Sequence, residues 1–224
     1  MPETGADGRT TSPTPLRVPE PTVERLSTYL QFLYSAAASG LTTISSAHVE
    51  SATAVSAAQF RKDLSYFGEF GKPGVGYIIS ELQDRISRIL QLHETQPVIL
   101  IGLGNLGAAL LSYPGLTEQR FQVVAAFDID PKKCGRTVQG VPVYALSDLL
   151  TQCARLNPRI AILAVPGLAA QQTFDLAYQT GIRAILNFAP AVLRVPAGVT
   201  VRNVSFTQEL AVLSYHIKTD QLDS

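Results

Sequence analysis

Val98-Ile-Leu-Ile-Gly-Leu-Gly-Asn-Leu-Gly107, continued by Ala108-Ala-Leu-Leu111, decides how the larger part of this chain folds. Four consecutive apolar residues read as a buried strand, and glycines at 102, 104 and 107 give the G-x-G-x-x-G spacing that turns a strand into a helix. In a dinucleotide-binding unit each glycine has its own task. Gly102 permits the tight turn, Gly104 lets backbone N–H groups approach a pyrophosphate, and Gly107 lets the helix pack close on the strand. Leu103, Asn105 and Leu106 complete the loop as candidate cofactor contacts. The same glycines also serve a plain tight turn, but the strand before them and the helix after them favour the dinucleotide reading.

Downstream, the apolar run Gln122–Phe127 ends in Asp128, about 20 residues past the last glycine, where such folds place an acid on the ribose hydroxyls. A carboxylate there repels a 2′-phosphate, which favours NAD(H). Lys132 and Lys133 lie close by and act in the opposite sense, and Asp128 can alternatively cap the helix that follows. Further runs at Val141–Val143, Ile160–Val165, Ala184–Leu186 and Val199–Val201 alternate with helical patterns. Alternating strands and helices predict a doubly wound parallel sheet, an α/β Rossmann domain over 96–205.

Upstream, residues 1–21 are rich in Pro, Thr and Gly and read as a disordered tail. Thr22 offers an N-cap for a first helix carrying Val23, Leu26, Leu30 and Leu33, with Gly40 beyond its end. A second helix starts at Ser45 or Ser46, and a third follows Ser56 with Phe60, Leu64 and Phe67 on one side. The glycine-dense stretch Phe70–Tyr77 is a hairpin candidate leading into Tyr77, Ile78 and Ile79. Three helices and a hairpin predict a winged helix over 22–80. Ser80-Glu-Leu-Gln83 has the form of a capping box, opening a connecting helix over 81–95.

Composition sets limits. The 224 residues are 46% apolar and 16% charged, which is globular usage, and 18 basic residues balance 18 acidic ones. From Met1 to Thr95 eight basic residues face ten acidic ones, so any DNA affinity must come from locally placed charge. Cys134 and Cys153 lack the paired spacing of a zinc site, and no apolar stretch approaches the roughly 20 residues of a membrane span. With no leader pattern at the start, the expected location is the cytoplasm. No metal site and no catalytic residue is expected: the histidines are only His48, His93 and His216, and no Ser-His-Asp, Cys-His or metal-ligand constellation appears.

On the third helix, Phe60, Leu64, Phe67 and Ala57 fall on one side. Ala58, Arg61, Lys62 and Ser65 fall opposite, flanked by Gln59 and Tyr66. Arg pairs with guanine and Gln with adenine in the major groove, while Lys and Ser hold phosphates. Ser45, Ser46, Ser56 and, in the wing, Lys72 join the candidates for DNA contact. A solvated helix face carrying two chance cations explains the same pattern.

At Gln59-Phe-Arg-Lys-Asp-Leu-Ser-Tyr-Phe-Gly68, Phe70-Gly71 and Gly74-Val-Gly-Tyr77, the sequence closely resembles the Rex family of bacterial redox-sensing repressors. The likeness extends to Arg25-Leu26, Ile44-Ser-Ser46, Gly102–Gly107, Phe127-Asp-Ile-Asp-Pro131, Gly140-Val-Pro-Val143, Ile185-Leu-Asn-Phe-Ala-Pro190, Glu209-Leu and Leu213-Ser-Tyr215, covering about Val18 to His216. The resemblance implies a homodimer that exchanges its C-terminal helix (206–224), binds a palindromic operator, and lets NADH and NAD+ compete for one site per subunit. The resemblance also implies that with NADH bound the dimer closes and its two recognition helices no longer match successive major grooves, roughly 34–36 Å apart.

Val165, Pro166, Asn187, Phe188, Ala189 and Pro190 are candidate walls of the nicotinamide pocket, with Phe206 from the partner's exchanged end, although core or turn packing accounts for each equally well. Tyr113 matches a family tyrosine that takes part in switching. Its charged partners are replaced here by Gln31 and Ser205, which should weaken the coupling between sites without abolishing it. Two other readings use the same residues: a small NAD-dependent oxidoreductase, which lacks a candidate acid, and a CoA- or nucleotide-binding accessory subunit, which Asp128 disfavours.

Overall fold

The computed structural model describes residues 18–71 and 76–220, and divides into two units, one up to His93 and one from Glu94. The first holds α1 (Glu20–Ala38), β1 (Thr43–Ile44), α2 (Ser46–Ala52), α3 (Ala57–Ser65), β2 (Tyr77–Ile78) and α4 (Ile79–Ile89). Leu26, Leu30 and Leu33 recur at helical spacing along α1 and share one buried cluster with Phe60 and Leu64 of α3 and Leu82 and Ile86 of α4. Edge-to-face ring contacts, Tyr29 on Phe60 and Phe60 on Tyr77, run through it at centroid distances of 4.8 and 5.3 Å.

Several boundaries differ from the sequence reading. Helix α1 starts at Glu20 behind Pro19, so Thr22 is no N-cap; it lies buried in the first turn and its hydroxyl donates to Asp63. Of the expected tail, residues 1–17 lie outside the described residues, and Glu20 and Pro21 open the helix. The tip of the expected wing, with Lys72, also lies outside them, whereas Tyr77–Ile78 pairs antiparallel with Thr43–Ile44. Ser80 caps nothing: Ile78 is the N-cap, and the Ile79 N–H bonds the Thr42 carbonyl, so the strand pairing supplies the partner a capping side chain would have given. The expected connecting helix is α4, which ends at Ile89 and buries Leu82 and Ile86 in the first unit's core.

In the second unit the strands are β3 (Gln96–Ile101), β4 (Phe121–Asp128), β5 (Thr137–Val138), β6 (Val141–Ala145), β7 (Ile160–Leu163), β8 (Ala184–Asn187) and β9 (Thr200–Asn203). They form one sheet in the order β5-β6-β4-β3-β7-β8-β9, parallel except for the short edge strand β5, which the sequence did not announce. The helices are α5 (Asn105–Leu111), α6 (Pro114–Glu118), α7 (Leu149–Leu156), α8 (Gly167–Gln179) and α9 (Phe206–Asp220). Without β5, the sheet runs third, second, first, fourth, fifth, sixth, the doubly wound order with its switch point between β3 and β7. Crevices at such points open beyond the carboxyl ends of the strands. Both faces of the sheet are buried, with Ile99 and Ile101 in one cluster and Val98 and Leu100 in another.

Candidate functional site

At the carboxyl ends of β3, β4 and β7 lies a cavity of about 520 Å³. Gly102 and Gly104 form its floor beside the switch point, Asp128 stands at the end of β4, and Val165 and Pro166 border it after β7. Gly102 has φ +97°, a left-handed conformation that suits glycine, and a Cβ there would overlap the Ala164 carbonyl. A Cβ on Gly107 would overlap the Gly102 carbonyl oxygen, so α5 sits closer to the loop than any other residue allows. Gly104 differs: it is exposed, its backbone is extended (φ −76°), and no protein atom lies within 4 Å of where its Cβ would be. Space left open above a backbone at the start of a helix is what an approaching pyrophosphate requires.

Asp128 is buried and densely bonded. Its Oδ2 accepts the Leu103 N–H at 2.7 Å and the Lys133 ammonium at 3.1 Å, and its Oδ1 accepts the Asp130 N–H at 2.8 Å. Burial opposes ionisation, but the two backbone N–H groups and Lys133 outweigh it and hold the carboxyl below its ordinary range. Leu103 thus contributes a backbone N–H while its side chain joins the core.

Other candidates lie elsewhere. Asn105 and Leu106 are exposed at the start of α5 and do not line the cavity. Tyr113 is exposed in a separate hollow of about 360 Å³, its ring over Gly115. Asn187 is a buried turn-former rather than a wall: its amide donates to the Ala189 carbonyl and to Asn203 Oδ1, and its Oδ1 accepts the Ala189 N–H. Phe188, Ala189 and Pro190 follow it outside the lining, and the Pro190 carbonyl lies against Gly167. Phe206 opens α9 with its side chain exposed, and Ser205 accepts the Gln208 N–H as that helix's cap. Gln172 and Thr173 of α8 and Leu146 after β6 do line the cavity; nothing in their spacing from the glycines signals them.

In the first unit, α2 and α3 form a helix-turn-helix capped by Ser45, which accepts the His48 N–H, and Ser56, which accepts the Gln59 N–H. Ala58, Arg61, Lys62 and Ser65 are exposed along one face of α3, and Arg61 reaches Ser46 Oγ at 2.7 Å. Ser65 Oγ turns back onto the Lys62 carbonyl, and Tyr66 is half-buried at the helix end. Gln59, on the flank of that face, is half-buried and its amide donates to Asp63 at 2.8 Å.

Asp63 is the residue the sequence hid. Fully buried, it accepts Arg25 through both oxygens (2.6 and 2.7 Å), Tyr29 at 2.7 Å, Gln59 at 2.8 Å and Thr22 at 3.1 Å. Burial pushes its pKa up, yet these donors win and hold it at about 2. The arrangement ties the inner side of α3 to α1, leaving the outer face exposed.

A helix-turn-helix unit followed by a doubly wound unit with an open glycine loop defines a DNA-binding regulator with its own dinucleotide sensor. A family model described as "Putative DNA-binding protein N-terminus" matches residues 17–65, and one described as "CoA binding domain" matches residues 93–191. The redox-sensing transcriptional repressor Rex of Pelotomaculum thermopropionicum is 44% identical over 90% of this chain and 95% of its own length. That of Desulfitobacterium hafniense is 45% identical over 91% and 97%. RSP, a Rex-family repressor solved with β-NAD+ and operator DNA, superposes with a TM-score of 0.86 at 35% identity, over 92% of this chain and 94% of that one. Its complex with β-NADH gives 0.83 at 33% identity, over 92% and 97%. The chain belongs to the Rex family of redox-sensing transcriptional repressors.

Proposed function

We propose that this protein binds palindromic operator DNA as a homodimer and releases it when NADH replaces NAD+, so that transcription follows the NADH/NAD+ ratio. It acts as a regulator and not an enzyme, in keeping with relatives that are named repressors. Among the described residues no helix is long and apolar enough to cross a membrane and no cluster of His, Cys, Asp and Glu is set to hold a metal. A repressor works where the chromosome is, in the cytoplasm.

Gly104 is the observation that carries the cofactor half of this reading. The pyrophosphate lies over its open backbone, the loop Gly102–Gly107 supplies N–H groups, and Asp128 receives the ribose hydroxyls. The nicotinamide faces the wall made by Val165 and Pro166, whose apolar surface penalises the cationic ring of NAD+ more than the neutral ring of NADH. A ligand shifts a conformational equilibrium only through such differential affinity.

Arg61 and Lys62 on the outer face of α3 meet the major groove. The capping hydroxyls of Ser45 and Ser56 use an oxygen lone pair for the helix and keep a hydrogen for phosphate. Phe206, Leu210, Leu213 and Ile217 lie exposed at i, i+4, i+7 and i+11 along α9, a continuous apolar stripe that the exchanged helix lays on the partner subunit.

Gly104→Ala tests the site. With nothing to clash against, it leaves the melting temperature unchanged, while its methyl group weakens NADH binding about tenfold or more. The chain contains no Trp, so the emission of NADH itself reports binding cleanly. Unchanged affinity would remove the glycine loop from the site.

A further inference from the structure

We infer that Arg85, on α4, is a positioning residue for operator binding, an inference that rests on the repressor reading above. From α4 it clamps Gly68–Phe70, the segment leaving the DNA-facing helix α3, and so fixes how that helix and the chain behind it meet DNA. Residues 68–71 belong to no helix or strand, and Gly68, with φ +106°, turns the chain away from α3. The returning chain is secured through its backbone, since Tyr77–Ile78 pairs with Thr43–Ile44. The departing chain is held through side chains instead: Phe70 packs half-buried at the edge of the first unit's core, and Arg85 closes over it.

Two contacts make the clamp. Arg85 Nη1 donates to the Glu69 carbonyl at 2.6 Å, and the guanidinium carbon lies 3.8 Å from the centre of the Phe70 ring. A planar fork that is always charged can lie on a ring face and donate from its edge at the same time, whereas an ammonium is a point charge that serves one partner at the expense of the other. Nη2 passes 3.6 Å from where a Cβ on Gly68 would stand, so the one side chain meets three successive residues. Leu82 and Ile86 bury the same helix in the core, which gives the exposed guanidinium a rigid base. Because that group is exposed, water replaces its contacts when it is removed and stability changes little. What is lost is the prior ordering of the segment, which DNA binding must then supply.

The test measures binding of a palindromic operator duplex, over a series of salt concentrations, by the full-length wild type, Arg85→Ala, Arg85→Lys, Phe70→Leu and the double variant Arg85→Ala/Phe70→Leu. Arg85→Ala is expected to weaken binding about fivefold while the slope of log affinity against log salt stays at the wild-type value, because the guanidinium holds the protein's own backbone and not a phosphate. Its melting temperature should stay within about 2 °C of wild type. Arg85→Lys should fall between the two in affinity. Phe70→Leu keeps the apolar bulk but removes the ring face, so Arg85→Ala should cost less in that background. Unchanged operator affinity, strictly additive effects of the two substitutions, or a large fall in melting temperature would overturn the assignment. A salt slope shallower by about one would make Arg85 a phosphate contact and overturn it as well. If the wild type binds no operator, the repressor reading falls and takes the inference with it.

Discussion

Replacing Asp63 by alanine is expected to cost about 3 kcal/mol of stability in unfolding of the full chain. The loss exceeds that of a surface ion pair because the carboxylate is fully buried and the groups it serves cannot all turn to water. Tyr29 is fully buried and Thr22 nearly so, leaving their hydroxyls without the acceptor they now use, while Arg25, part-exposed, keeps some hydration. Asparagine should fare little better. Every bond Asp63 makes is one it accepts, so an NH2 in place of one oxygen points hydrogens at hydrogens.

The same residue fixes an acid limb of the stability profile. Because the folded pKa, about 2, lies below the ordinary 3.8, Asp63 contributes stability fully present above pH 4 or so and lost as pH falls through about 2. That contribution is about 2 kcal/mol. Wild type and Asp63→Ala should therefore converge in stability below pH 4. A constant gap between them down to pH 2 would mean the carboxylate's charge plays no part in the effect. Since Asp63 ties α3 to α1, the alanine variant should also bind operator more weakly although no substituted atom faces the groove.

Gly107→Ala should act on the other unit with similar size, about 3 kcal/mol. The added methyl meets the Gly102 carbonyl oxygen, and both are backbone, so no rotamer change relieves the overlap. Helix α5 must move off β3 or the loop must open, and either movement displaces Gly104 and the Leu103 N–H that holds Asp128. The variant should lose thermal stability and NADH binding together. Gly104→Ala should lose only the second, and that contrast separates a packing glycine from a ligand-facing one. A Gly107→Ala protein that melts like wild type would show that the close approach of helix and loop is not required.

What the sequence made legible was local. The strand–glycine loop–helix, the apolar runs of the sheet, and the serine caps at 45 and 56 are all written within a few residues of where they act. What it hid depended on distant partners. Asp63 reads as one polar residue in a helix, because its donors Thr22, Arg25 and Tyr29 lie 34 to 41 residues upstream. For the same reason Thr22 read as a cap. Ser80 carried the right letters for a capping box, but a strand hydrogen bond from Ile79 to Thr42 set the start of α4. In the cavity, Gly102, Gly104 and Asp128 follow a spacing rule, whereas Gln172, Thr173 and Leu146 arrive through the folding of α8 and β6 onto the switch point. Lys133 was visible as a nearby charge; its pairing with Asp128 needed the turn at Asp130.

The most direct test is a titration of operator binding at fixed salt, using a palindromic site and adding NADH, NAD+ and NADPH separately. Salt must be held constant because phosphate contacts make affinity strongly dependent on it. NADH should release the DNA and NAD+ should oppose that release. DNA binding that no dinucleotide alters would contradict the redox switch, and failure to bind DNA at all would contradict the repressor.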